Sequence, residues 1–313
     1  MLQLNNIYQG DCLEVMKDIN NKSIDMILCD LPYGSTRCLW DSIIPLDMLW
    51  EQYKRIIKDR GAILLFAQTP FDKVLGCSNL EWLRYEWIWE KTQATGYFNA
   101  KKMPMKSHEN ILVFYKNLPK FYPQKTQGHK PINSYTKRES VQNKSELYGK
   151  VKIDISGGGE TDRFPRSIQK FSSDKQKTKL NGTIHPTQKP VLLCEFLIKS
   201  YTDEGDLVLD NCAGSFTTAV AANNLNRNWI GIEKEEKYCE IGRKRLKESN
   251  FTFDPNKVKE DLEYIFQRNE LEKTISEMEL NNKILQPECK HCNDTGWLNS
   301  LERCICVRKW DIG

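Results

Sequence analysis

The feature that most constrains this chain is the way its apolar residues are parcelled. Short runs, each too brief for a helix, end on a polar turn and give way to a helical repeat. The run Ile24-Asp25-Met26-Ile27-Leu28-Cys29 ends on Asp30-Leu31-Pro32-Tyr33-Gly34, and Leu46, Leu49, Trp50, Tyr53 and Ile57 then recur at helical spacing up to Lys58, where Gly61 is expected to stop the helix before the run Ala62 to Phe66. Short runs of this kind read as strands buried on both faces, and strands alternating with helices require a mainly parallel sheet covered on both sides. The rhythm returns late in the chain: a helix over Pro190 to Tyr201, the run Asp206 to Asp210, a helix over Thr217 to Leu225, and the run Trp229 to Glu233. Residues 7–17 add a strand end and a helix start, while Tyr85 to Trp89 and Asn110 to Tyr115 add two strands separated by a loop. The expected fold class is α/β, with a core drawn from 1–116 and 185–248.

Between these halves the periodicity disappears. Residues 116–184 hold fifteen Lys/Arg against six Asp/Glu, a net +9 in a chain whose total is +4, so the remainder carries −5. Positive charge gathered this way reads either as a solvated loop or as a surface for phosphates. Residues 117–184 are therefore expected to form an irregular inserted region. Residues 249–286 are read as a charged helical extension on the spacing of Leu262, Ile265, Leu271, Ile275 and Met278, and 287–313 as a small tail. That tail carries Cys289-Lys290-His291-Cys292 and, after eleven intervening residues, Cys304-Ile305-Cys306. Two close thiol pairs suit a tetrahedral Zn2+ site with Cys289, Cys292, Cys304 and Cys306 as ligands, His291 being the alternative to one thiolate. The longest apolar run, Ala62 to Ala67, cannot span a membrane, and the first residues lack a signal-peptide pattern, so a cytoplasmic protein with free thiols is expected.

In an open α/β sheet, ligands bind at the carboxyl ends of the strands. Three such ends carry chemistry here: Asp30-Leu31-Pro32-Tyr33, Asp210-Asn211-Cys212-Ala213-Gly214-Ser215, and Glu233. A small-residue turn lets backbone N–H groups at a helix start approach a ligand, and an acid on the next strand accepts from ribose hydroxyls, which together describe a nucleoside site. The first end suits a planar amine. Asp30 and the Leu31 carbonyl each accept one N–H, turning the nitrogen lone pair toward an electrophile, while Tyr33 stacks on the ring. Taken singly, each motif is also an ordinary turn.

Taken in order, these motifs resemble the β-class amino-methyltransferases of DNA, whose Asp-Pro-Pro-Tyr loop precedes the cofactor motif. The resemblance spans residues 4–248. Gly10-Asp11-Cys12 is similar to the family's contact to the cofactor adenine, and His185-Pro186-Thr187-Gln188-Lys189-Pro190 to its helix-leading cofactor motif. Asp210 to Thr218 resembles Asp-Pro-Phe-X-Gly-Ser-Gly-Thr-Thr, and Glu233 the ribose ligand. The resemblance implies a Rossmann-like S-adenosylmethionine-dependent sheet and a catalytic loop of Asp30, Leu31, Pro32 and Tyr33. Cofactor contacts are implied for Asp11, Cys12, Asp30, His185, Thr187, Lys189, Asp210, Cys212, Gly214, Ser215, Thr217 and Glu233.

The resemblance also implies double-stranded DNA as substrate, with the target base flipped out of the duplex. Residues 117–184 fill the recognition slot, with Tyr122, Tyr135, Tyr148, Phe164 and Phe171 set among basic residues. It implies a monomer or homodimer, with or without a cognate restriction endonuclease as partner. Asp30, where cytosine-N4 enzymes frequently carry Ser, favours adenine N6; cytosine N4 and a DNA-binding relative without catalysis are the alternatives. Two positions depart from the pattern. Leu31 replaces the first proline, a mild change because the contact is a backbone carbonyl. Phe216 replaces the third small residue of the cofactor turn, where a bulky side chain is expected to crowd the cofactor. Lys91, Lys101, His108 and Glu109 are expected in loops near the site, without a role.

Overall fold

The computed structural model describes residues 2–34, 42–132, 135–137, 144–145, 149–150, 155–172 and 188–248. In chain order the elements are β1 (Asn6–Gln9), α1 (Cys12–Met16), β2 (Ile24–Asp30), α2 (Leu46–Ile56), β3 (Ile57–Ala67), α3 (Phe71–Ser78), β4 (Leu83–Thr95) and β5 (Lys106–Phe114). Four short strands follow, β6 (Tyr135–Lys137), β7 (Lys144–Ser145), β8 (Gly149–Lys150) and β9 (Ile155–Gly157). Then come β10 (Ile168–Phe171), α4 (Val191–Tyr201), β11 (Leu207–Asp210), α5 (Thr217–Asn224), β12 (Asn228–Glu233) and α6 (Glu236–Glu248). Eight strands form one sheet in the order β1-β12-β11-β2-β3-β5-β4-β10. Within it β5 is antiparallel to both its neighbours, and every other pairing is parallel. The short strands form two separate antiparallel ribbons, β6 with β9 and β7 with β8.

The unbroken apolar run of β2 is explained by cover on both faces. Met26 and Leu28 join Leu64, Phe66, Ile111 and Val113 in a cluster with Leu193, Leu197 and Ile198 of α4 and Ala219 to Ala222 of α5. Alternate side chains of a strand face opposite ways, so Ile27 and Cys29 fall on the other side. There α2 and α3 bury Leu49, Tyr53 and Leu75, and Trp50 packs 4.9 Å from the ring of Phe114. Each fully buried Leu or Ile contributes roughly 1.5–3 kcal/mol. Truncating one at the centre, such as Leu197→Ala, costs about 2–5 kcal/mol.

Two local expectations change. Helix α2 stops at Ile56, because Ile57 is already extended, and the strand begins there rather than at Ala62. Gly61 therefore lies inside β3, where a Cβ would stand 2.9 Å from the Asp25 carbonyl of β2; it permits the close approach of two strands rather than ending a helix. The second change concerns the region expected to be irregular. Ile168–Phe171 pairs with β4 and completes the sheet edge, with Phe171 against Phe196 and its carbonyl accepting from Trp89 Nε1 at 3.0 Å. Four residues of alternating half-burial are too few to stand out as a period. Phe121 likewise packs on Trp87 and Tyr201, and the Tyr122 N–H donates to the Ser200 carbonyl, so both ends of the stretch rest on α4 and its strands. Phe164, by contrast, is exposed under Lys125. Tyr148, His185, Thr187, the helical extension and the four tail cysteines lie outside the described residues. Among the described residues no helix is long and apolar enough to cross a membrane.

Candidate active site

The neighbouring strands β1, β12, β11, β2 and β3 run parallel, so their carboxyl ends fall along one edge of the sheet. The turns that follow line a cavity of about 630 Å³, within the range of small-molecule sites. Its wall contains Asp11 and Cys12 after β1, Glu233 at the end of β12, and Asp210, Cys212, Gly214, Ser215 and Thr217 after β11. Asp30, Leu31, Pro32 and Tyr33 after β2 and Lys189 ahead of α4 complete it. Every described residue expected at the site is thus brought to one cavity.

The turn after β11 is tied to the next strand by the Ala213 N–H, which donates to the Ile232 carbonyl at 2.9 Å, and by the side chain of Glu233. Gly214, in the left-handed region at φ 49°, donates its N–H to Glu233 Oε2 at 2.8 Å, and the Glu235 N–H donates to Oε1 at 2.9 Å. Burial raises the Glu233 carboxyl, with the N–H groups of Glu235 and Gly214 opposing. Asp11 caps α1 by accepting from the Leu13 N–H at 3.0 Å. Tyr53 reaches across from α2, its hydroxyl donating to Asn211 Oδ1 at 2.6 Å. Asp210 sits beneath this turn; burial pushes its carboxyl up to about 7, against a hydrogen bond from Thr218 and the Cys212 N–H. Burial likewise pushes the Cys29 thiol up to about 12.

Phe216 does not crowd the cavity. Its backbone is left-handed at φ 60°, which turns a fully buried ring away from the cavity wall and toward β12 and α6. Two glycines leave room for it: a Cβ on Gly231 would stand 2.6 Å from Phe216 Cε1, and one on Gly242 would stand 2.7 Å from Cγ. The left-handed conformation costs roughly 1–2 kcal/mol, and burial of the ring offsets a similar amount.

Asp30 is held at both oxygens. The Tyr33 hydroxyl donates to Oδ1 at 2.6 Å, and Lys189 Nζ donates to Oδ2. Lys189 also lies 3.2 Å from Glu109 Oε2, and Glu109 Oε1 meets Lys91 Nζ at 2.6 Å. Asp30, Lys189, Glu109 and Lys91 thus form a row of alternating charge, in which both Lys189 and Glu109 are buried. Burial raises the Asp30 carboxyl, Lys189 opposing and Glu109 adding to it. Burial also acts to raise Glu109, yet Lys189 and Lys91 outweigh it and bring that carboxyl to about 2. For Lys189, burial is outweighed by Asp30 and Glu109, which hold the ammonium above its ordinary value. Tyr33 stacks on Phe71, ring centres 5.3 Å apart.

Lys91 and Glu109 stand on β4 and β5, not in the loops expected of them, and Lys189, expected at the cofactor, is engaged with Asp30 and Glu109. The sequence carried a signal for Glu109: with the strand period it shares a face with Ile111 and Val113, both in the core. Beyond this row, the β4–β5 hairpin projects Tyr97 and Phe98, 77% and 99% exposed. Residues 91–106 contain four lysines and no acid, and Thr95 and Lys106 reach the cavity wall.

Residues 24–244 match the family described as DNA methylase. The type II methyltransferase M.HinfI of Haemophilus influenzae is 30% identical over 271 residues, covering 78% of this chain and 69% of its own length. The DNA adenine methyltransferase YhdJ of Escherichia coli (strain K12) is 28% identical over 260 residues, covering 77% of this chain and 82% of its own. The crystal structure of the M1.HpyAVI–SAM complex has a TM-score of 0.51 at 24% identity, over 77% of this chain and 98% of that one. With the family match running from the first residue of β2 into α6, this chain belongs to the DNA methylases, and within them to the β-class amino-methyltransferases.

Proposed function

We propose that this DNA methyltransferase uses S-adenosylmethionine to methylate adenine N6 in duplex DNA. The observation that carries the reading is Asp30, a half-buried, charge-balanced carboxylate at the wall of the same cavity that holds the Gly214–Glu233 turn. That turn and Asp11 fit a nucleoside: backbone N–H groups at a helix start, a ribose-binding acid and a polar wall on a cavity of suitable size. The SAM complex of M1.HpyAVI supports the same donor. When bound, S-adenosylmethionine supplies an electrophilic methyl group.

The chain's residues prepare the base. An exocyclic amine is a poor nucleophile because its lone pair is delocalised into the ring. Asp30 and the Leu31 carbonyl accept its two N–H groups, localising the lone pair, and Tyr33, stacked on Phe71, is the aromatic that receives a flipped base. The nitrogen gains a methyl and loses a proton, for which Asp30 is the acceptor. The name of YhdJ and the aspartate at position 30 favour adenine over cytosine N4. The +9 charge of 116–184 and the lysines of the β4–β5 hairpin supply phosphate contacts, with 117–184 as the recognition region. The tail thiols of Cys289, Cys292, Cys304 and Cys306 hold a structural Zn2+, a reading carried by their spacing and tested by metal analysis of the full chain against Cys289→Ser/Cys292→Ser.

The test is incubation with S-adenosylmethionine and unmethylated genomic DNA, followed by nucleoside mass spectrometry beside Asp30→Ala. N6-methyladenine absent from the variant is the expected result. N4-methylcytosine overturns the choice of base, and no methylated base overturns the catalytic reading.

A further inference from the structure

An oxygen of Asp30 must reach the base amine, yet both are taken in the structure, one by Tyr33 and one by Lys189. A buried lysine held by Asp30 alone would pin that carboxylate and weaken it as an acceptor. Here Lys189 has a second carboxylate at 3.2 Å, Glu109, and Glu109 is itself drawn to Lys91 at 2.6 Å. The row comprises two acids and two bases, so any single removal leaves the others unbalanced in a site where charge is poorly solvated. We propose that Glu109 and Lys91 are positioning residues that set, through Lys189, how strongly Asp30 accepts a hydrogen bond. The inference rests on Asp30 being the acceptor for the base amine.

The row gives this role a sign. Removing the charge of Glu109 leaves Lys189 wholly to Asp30, which becomes a weaker base. Removing Lys91 leaves Glu109 wholly to Lys189, and Asp30 becomes a stronger one. The other ionisable groups facing Asp30 are Tyr33 on its own loop, Cys29 on β2 and Asp210 at the end of β11, and none of these changes in either variant. A row that served only to fasten β5 to the residues ahead of α4 would give no such opposition, since both variants would then lose activity together.

The test measures kcat against pH for Glu109→Gln and Lys91→Met. In parallel, the Asp30 carboxyl is titrated directly by 13C NMR of protein labelled at aspartate, its signal assigned with Asp30→Asn. The expected result is an acid limb and an Asp30 titration displaced by about one pH unit, downward in Glu109→Gln and upward in Lys91→Met. KM for S-adenosylmethionine stays unchanged, and the double variant returns close to wild type. Shifts of the same sign, or an Asp30 titration that moves in neither variant, overturn the proposal. Each single variant has its own predicted sign, so one that folds suffices. If the wild-type chain methylates nothing, the catalytic reading fails while the titration still decides whether Glu109 and Lys91 govern Asp30.

Discussion

The ring of Phe216 occupies the space that a side chain on Gly242 would need, a Cβ there lying 2.7 Å from Phe216 Cγ. The neighbours of Phe216 along the chain, Ser215 and Thr217, form part of the cavity wall, and Arg245 of α6 bonds Thr217 Oγ1 at 3.1 Å. Gly242→Ala is therefore expected to cost about 1–3 kcal/mol in urea unfolding through overpacking, and to weaken S-adenosylmethionine binding by calorimetry as the turn is displaced. Phe216→Gly relieves the left-handed backbone but opens a void; with roughly 3–5 kcal/mol for the lost ring against roughly 1–2 for the strain, it destabilises on balance. A more stable Phe216→Gly protein would show that the ring is poorly packed.

Glu233 joins two turns by accepting from Gly214 and Glu235, and it is the last residue of β12. Glu233→Ala removes both bonds and the acceptor for ribose hydroxyls. Loss of a charged hydrogen bond of roughly 1.5–3 kcal/mol corresponds to a weakening in S-adenosylmethionine affinity of about 10- to 150-fold. Titration calorimetry checks it, and unchanged affinity would move the ribose contact elsewhere.

Asp210 gives a pH dependence of stability. The folded protein retains its proton up to about pH 7, whereas the unfolded chain releases it near about 4. Between those limits the folded state binds more protons, so rising pH lowers stability, by up to about 1.4 kcal/mol per unit. Glu109, held at about 2, acts in the opposite sense and only below this window. Urea midpoints at pH 5 and pH 7.5 should differ more for wild type than for Asp210→Asn; equal differences would remove Asp210 from the account.

Tyr201 closes α4 onto β4, its hydroxyl bonded to Tyr85 OH at 2.8 Å and accepting from Trp87 Nε1 at 2.7 Å. Tyr201→Phe leaves a buried indole N–H without that partner, at a cost of about 1–3 kcal/mol. The midpoint of unfolding should fall while methylation below it persists. An activity loss at full stability would place α4 in the reaction itself.

How much of this was legible depended on whether a residue's task was local. The runs ending on Asp30, Asp210 and Glu233 marked the correct strand ends, because a strand buried on both faces leaves a continuous apolar trace and its terminal acid follows directly. β10 left no such trace: four residues, alternately exposed and half-buried, acquire their strand only from β4. Glu109 and Lys91 were misplaced because their partners come from other strands and from the chain ahead of α4. Phe216 read as an obstruction because the space it fills is made by Gly231 and Gly242, fifteen and twenty-six positions further on.

The sheet order has a consequence for the newly made chain. β11 and β12, which begin only at Leu207, stand between β1 and β2, so the first strand has no permanent neighbour until some two hundred further residues have been synthesised. Pairings so distant in sequence form slowly, and until they form the edges of β1 and β2 stay open to other chains. A chain cut short ahead of β12 retains its Asp30 loop but leaves β1 unpaired, and its fate is a matter of chaperones and proteases rather than of weakened catalysis.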